Sequence, residues 1–162
     1  LLETAKRLSG KKLPINVAFS FSTAEELGLR GVRAVAYEIE PQEAIAVDVT
    51  FGDGVGISSD ESCKLGTGAM IGLSPTLCKD LSQKLINIAK ENNIPHDLEI
   101  MSSTTGTNAD MISISKSGVK TATVSIPLRN MHTEVETLDL RDIKAVCDLL
   151  EKYILSGGIL ND

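Results

Sequence analysis

Apolar residues recur along this chain with two different periods, and the periods alternate. Leu1, Leu2, Ala5 and Leu8 follow helical spacing, and Ser9-Gly10-Lys11-Lys12 ends that helix. From Pro14 to Ser22 the pattern switches to every second residue, with Ile15, Val17, Phe19 and Phe21 on one face. That alternation predicts a strand. A short Val- and Ala-rich helix is expected over Gly31 to Ile39. Ala44 to Thr50 reads as a second strand, apolar on both faces except near its end, which predicts a central place in a covered sheet. Phe51 to Gly68, rich in Gly, Ser and Asp, reads as a long loop.

The second half repeats the alternation. Ala69 to Leu73 is a short strand. Pro75 to Asn92 is the clearest helix, with Leu77, Leu81, Leu85, Ile88 and Ala89 forming its apolar stripe. His96 to Met101 reads as a strand and Ala109 to Lys116 as a helix. Lys120 to Ile126 is a strand that Pro127 should stop. A loop follows through Leu138, then a helix over Leu140 to Leu155 with Asp139 as its N-cap, and Gly157-Gly158 begins a tail. Strands alternating with helices predict one α/β domain: a three-layer αβα sandwich around a mostly parallel or mixed sheet.

Composition narrows the function classes. The 162 residues are 42% hydrophobic and 23% charged, ample for a core. No apolar run is long enough to span a bilayer, and no signal-peptide pattern is present. The net charge is -6 with no basic cluster, which disfavours nucleic acid and anionic membranes as partners. Aromatics are 3% with no Trp, so platforms for stacking bases or sugars are scarce. Cys63, Cys78 and Cys147 form no metal-ribbon spacing and read as reduced thiols of a cytoplasmic protein.

The chemistry-bearing candidates cluster at strand ends. The stretch Thr23-Ala24-Glu25-Glu26-Leu27-Gly28-Leu29-Arg30-Gly31 places two adjacent carboxylates before a glycine-rich turn. A solvated helix N-terminus would also favour glutamates there. Asp48 lies near the end of an apolar strand, where it needs a cation or hydrogen-bond donors; a salt bridge would serve equally. His132 follows the strand that ends at Ile126 and could be an ordinary loop histidine. In a doubly wound sheet these ends gather along one edge. Two carboxylates and an imidazole converging there from different strands suit a divalent cation such as zinc or cobalt. His96, after Pro95, is read as structural. Ser22 and Thr23 lack a GxSxG elbow, which argues against a serine nucleophile.

The glutamate stretch resembles the EE-x-G-x-x-G signature of co-catalytic metalloaminopeptidases. It is closest to the tetrahedral-aminopeptidase family, whose members are also labelled glutamyl aminopeptidase or endoglucanase M. Three further segments match in order. Ala46-Val47-Asp48-Val49-Thr50, with Asp53 and then Leu65-Gly66-Thr67-Gly68, resembles the family's aspartate strand and glycine loop. Thr105-Gly106-Thr107-Asn108-Ala109-Asp110 resembles its Gly-Thr-(Asp or Asn)-Ala segment. Val124-Ser125-Ile126-Pro127-Leu128-Arg129-Asn130-Met131-His132-Thr133 resembles its Ser-Ile-Pro-x-Arg block.

The resemblance implies roles. Glu25 would be the general base, Glu26 and His132 would ligate one metal ion, and Asp48 the other. It implies two divalent ions, zinc or cobalt, peptide substrates and a homo-oligomer. It also implies partners that these residues lack: a histidine from an early H-x-D motif, a bridging aspartate and an inserted small β domain. Residues 1–162 are therefore expected to be the C-terminal portion of a catalytic domain, with an incomplete metal site and little activity of their own. Asn108 stands where many relatives carry Asp, so a substrate-anchoring role is not carried over to it. Two other functions remain open: a non-catalytic binding module of the same fold, and a glycoside hydrolase, which the endoglucanase label would suggest and the scarcity of aromatics argues against.

Overall fold

The computed structural model describes residues 1–54, 56–58 and 62–159. Val55, Ser59, Asp60 and Glu61, within the loop expected over 51–68, lie outside the described residues, as do Leu160, Asn161 and Asp162 of the expected tail.

The elements run α1 (Leu2–Leu8), α2 (Arg30–Ile39), β1 (Glu43–Phe51), β2 (Ala69–Leu73), α3 (Lys79–Glu91), β3 (His96–Ile100), α4 (Ala109–Ser113), β4 (Lys120–Arg129), β5 (Thr137–Leu138) and α5 (Leu140–Ser156). The sheet order is β1-β4-β2-β3, with β5 paired to the end of β4. β1 and β4 are parallel, and so are β2 and β3, but β2 meets β4 antiparallel. The sheet is thus mixed, as expected.

Alternation along the strands divides the core in two. Ile45, Val47, Ile71, Ala122 and Val124 face one way and pack with Leu81, Leu85, Leu149 and Tyr153 of α3 and α5, with Leu8 of α1 in the same cluster. The other face holds a smaller cluster, in which Val32 and Ala36 of α2 and Ile112 of α4 meet Ala44 and Val119. Helices therefore cover both faces. α1 is fastened to α5 by Arg7, which donates to Asp148 at 2.7 Å, and by Lys11, which donates to Glu151 at 2.5 Å. Asp139 caps α5 by accepting from the Arg141 amide at 2.8 Å, as the sequence suggested, and left-handed Gly157 closes it.

Four expectations are corrected. The segment from Pro14 to Ser22, expected as a strand, bends at Pro14 and Ile15 and belongs to no ladder among the described residues. Its Val17 and Phe19 still pack on the main core, so the apolar period reports burial while the backbone lacks a neighbour to pair with. β1 is not central: among the described residues it pairs with β4 alone, and its outer side is an edge. The central strand is β4, buried from Thr121 to Ser125 and bonded to β1 on one side and β2 on the other. Pro127 does not stop it. β2 pairs with β4 only around Val124 and Ser125, so at Pro127 the missing amide proton removes no bond to β2, and β4 runs on beside β1 to Arg129. The helix expected over Ala109 to Lys116 is also shorter, ending at Ser113.

Candidate active site

The backbone turns sharply where the two glutamates stand. Ala24 is left-handed at φ 56, and Leu29, φ 56, precedes α2. Between them the Glu25 carbonyl accepts from the amides of Gly28 and Leu29, at 3.2 and 2.8 Å. The Thr23 carbonyl accepts from the Gly31 amide at 3.0 Å, closing the loop. Gly31 is required there, because a Cβ would collide with the Thr23 backbone. Adjacent residues on a regular strand face opposite ways. The turn at Ala24–Glu25 is what brings Glu25 and Glu26 to one side.

Asp48 and His132 arrive from the parallel pair. Asp48 lies opposite Ser125 in the ladder, three residues before the end of β1, and its Oδ1 accepts from the Val49 amide at 2.8 Å. β4 continues four residues past Ser125 and enters a tight turn in which Asn130 (φ 57) and His132 (φ 63) are left-handed. Glu136 accepts from the His132 amide at 2.7 Å, and Thr133 Oγ1 donates to the Asn130 carbonyl at 2.6 Å. This turn points the imidazole at the glutamates: His132 Nε2 lies 3.2 Å from Glu26 Oε1, both side chains largely exposed.

The four sequence candidates thus meet at the edge where β1 and β4 end, and their charges feel one another. Burial pushes the Glu25 carboxyl above its usual range; Asp48 and Glu26 push it further, and His132 works against them. Asp48 is also pushed up, by burial first, with the Val49 amide opposing and Glu26 adding to the shift. Among the described residues no lysine or arginine pairs with Glu25, Glu26 or Asp48. Carboxylates and an imidazole are the kinds of donor that a divalent metal ion takes. Among the described residues, though, no three His, Cys, Asp or Glu side chains stand as a ready set of ligands.

Other candidates fall elsewhere. His96 Nδ1 lies 2.8 Å from the carbonyl of Ile94, within its own turn. All three cysteines are free thiols. Asn108 is near the site: its Nδ2 reaches Ser22 Oγ at 3.4 Å, and its Oδ1 is buried without a hydrogen-bond partner. Glu136 was missed by the sequence reading. Its only signal was a carboxylate four residues after the histidine, which is common in any loop.

Residues 1–149 match the family described as M42 glutamyl aminopeptidase. The lysyl aminopeptidase of Pyrococcus furiosus is 36% identical over 143 residues, covering 88% of this chain and 41% of its own length. The TET aminopeptidase of a marine-sediment Thaumarchaeota archaeon superimposes with a TM-score of 0.90 at 30% identity, covering 98% of this chain and 46% of its own. The TET1 peptidase of Pyrococcus horikoshii, which can assemble into a tetrahedron or a large octahedral shell, gives 0.80 at 30% identity, covering 95% and 45%. The chain therefore spans less than half the length of these relatives. With the family matched across most of the sequence and the αβα fold shared throughout, the chain belongs to the M42 glutamyl aminopeptidase family.

Proposed function

We propose that the protein is an aminopeptidase that removes N-terminal residues from peptides with two divalent metal ions, zinc or cobalt. The observation that carries this reading is the meeting of Glu25, Glu26, Asp48 and His132, from three separate segments, at one sheet edge. Glu26 and His132 would hold one ion and Asp48 the other. Such ions, when bound, polarise a peptide carbonyl and make water acidic enough to be deprotonated near neutral pH. Glu25 is the group that moves the proton. It sits among the other three, is partly buried, and its upward-shifted carboxyl is better matched to taking a proton and returning it to a departing amine. Glu136 keeps the His132 backbone in the left-handed turn that aims the ring at Glu26.

Three ligands are few for two ions, since catalytic zinc sites usually take three protein ligands each. The remaining donors would come from outside these 162 residues, in keeping with relatives more than twice as long. The chain by itself is accordingly expected to hydrolyse peptides poorly. An oligomeric assembly in the cytoplasm belongs to the same reading, supported by the shells that the Pyrococcus horikoshii relative forms.

The test is made on the whole product of the gene. It should contain divalent metal and release amine from aminoacyl anilides while leaving soluble cellulose intact. Glu25→Gln should lower kcat about 100- to 10,000-fold, the range for removing a general base, while metal content is retained. Full activity in that variant, or cleavage of cellulose instead of peptide, would overturn the reading.

A further inference from the structure

We infer that Arg129 is a positioning residue for the candidate metal centre: it acts through Asp53 to fix the spacing between the Asp48 strand and the His132 turn. This rests on the reading that Asp48, Glu26 and His132 hold metal ions.

Asp48 and His132 lie on different elements. Asp48 is carried by β1, and His132 by the turn that leaves β4. The ladder between the two strands keeps their register as far as Phe51 opposite Leu128. The Gly52 amide adds a last bond to the Leu128 carbonyl at 2.7 Å. Beyond that point the two strands no longer pair with each other: β4 turns to β5 and the chain after β1 turns to Cys63.

Arg129 joins the two exits. Its Nε donates to the Asp53 carbonyl at 2.7 Å and to Asp53 Oδ1 at 3.1 Å, and its Nη2 donates to the same Oδ1 at 2.7 Å. A planar guanidinium that grips both a carbonyl and a carboxylate of one residue fixes direction as well as distance. A lysine ammonium would fix only distance. Asp53 is itself tied back to the loop base. Its amide donates to the Cys63 carbonyl at 2.7 Å, and the Cys63 amide donates to the Phe51 carbonyl at 3.0 Å. Arg129 holds the Asp53 carboxyl below its usual range, so the pair is charged throughout the working pH range. Three segments meet at this clamp: the exit of β1, the base of the following loop and the entry to the histidine turn.

Both side chains are about two-fifths exposed. An exposed ion pair contributes little to stability. Its consequence should therefore appear in geometry, where a shift of a fraction of an ångström between two ligands of one centre is felt as lost affinity. Partners that orient metal ligands are typically worth about tenfold to a hundredfold in metal binding.

The experiment titrates cobalt(II) into the metal-free whole gene product and its variants Arg129→Ala, Arg129→Lys and Asp53→Asn. It follows visible absorption for stoichiometry and coordination, and records thermal melting of each protein. The inference expects wild type to bind two ions. Arg129→Ala should weaken at least one of them about tenfold or more with an altered spectrum, Arg129→Lys should recover only part of the loss, and melting of the metal-free proteins should be almost unchanged. Unchanged affinity and spectrum in Arg129→Ala, with wild type binding normally, would overturn the positioning role. Weakened binding that scales with a fall in melting temperature would overturn it too, by showing a merely structural contact. Failure of wild type itself to bind cobalt would instead remove the metal centre on which the inference stands.

Discussion

Like charges held close together cost free energy unless something balances them, and Asp48 shows this most clearly. It is half-buried in β1, with Glu26 adding to the burial that disfavours its charge. Its Oδ1 accepts from the neighbouring amide of Val49. Asp48→Asn keeps the shape and removes the charge. At pH 7 the metal-free variant should melt a few degrees above the metal-free wild type, because a buried, repelled carboxylate has been removed. Added zinc should raise the melting temperature of wild type more than that of the variant, since binding stabilises only a state that binds. Differential scanning calorimetry with and without zinc checks both, and a variant that melts lower without metal would show that Asp48 is stabilising as it stands. At this scale the sequence was informative. Glu25 and Glu26 declared themselves by adjacency, and Asp48 by its misfit in an apolar strand. Glu136 and the Arg129–Asp53 clamp did not, because their partners lie in backbone and in distant loops that no local pattern announces.

Elements were legible wherever a period was reinforced by a boundary signal. α5 is the best case, because its apolar stripe begins at an N-cap and ends at a glycine. Asp139 is also an electrostatic element of that helix. Arg141, beside it, holds its carboxyl down to about 2 through a side-chain bond and the Arg141 amide. A depressed carboxyl means that the folded state prefers the charged form. Its contribution is therefore complete above the ordinary aspartate value of about 3.9 and is lost as pH falls toward about 2. Asp139→Ala should lower the melting temperature at pH 7, and the gap from wild type should close between pH 4 and pH 2. A gap independent of pH in that window would mean that the cap acts only as a hydrogen-bond acceptor of fixed strength. Where elements were misjudged, the cause was a tertiary fact. Pro127 is tolerated because β2 no longer runs beside that part of β4, which cannot be read from residues near the proline.

The whole molecule has a gradient of backbone protection that follows from its topology. β4 is paired on both sides and wholly buried through its middle, with Ala122, Thr123 and Val124 fully inaccessible. Among the described residues β1 has a ladder with β4 alone, and its outer side is bonded only near its end, where the Phe51 carbonyl accepts from the Cys63 amide at 3.0 Å. The segment from Pro14 to Ser22 contributes Val17 and Phe19 to the core but has no ladder bond among the described residues. Side-chain burial and backbone pairing have come apart in it, which is why its alternation was a sound guide to packing and a poor one to the sheet. Amide exchange separates the two properties, because protection follows the opening of hydrogen bonds. In this chain the amides of Thr121 to Ser125 should exchange last, through global unfolding. Those of β1 that point away from β4 should exchange sooner, and those of Asn16 to Ser22 among the first, despite the partly buried Val17 and Phe19 between them. Hydrogen exchange resolved by NMR can read this order residue by residue. If Asn16 to Ser22 were protected as strongly as β4, the segment would be a paired strand in solution. The glutamate turn would then hang from a ladder and not from packing alone. If the expected order is found, Glu25 and Glu26 are delivered to the site by the turn at Ala24 and the apolar anchors Val17 and Phe19. In that case truncating those anchors to alanine should disturb the glutamates without touching any strand.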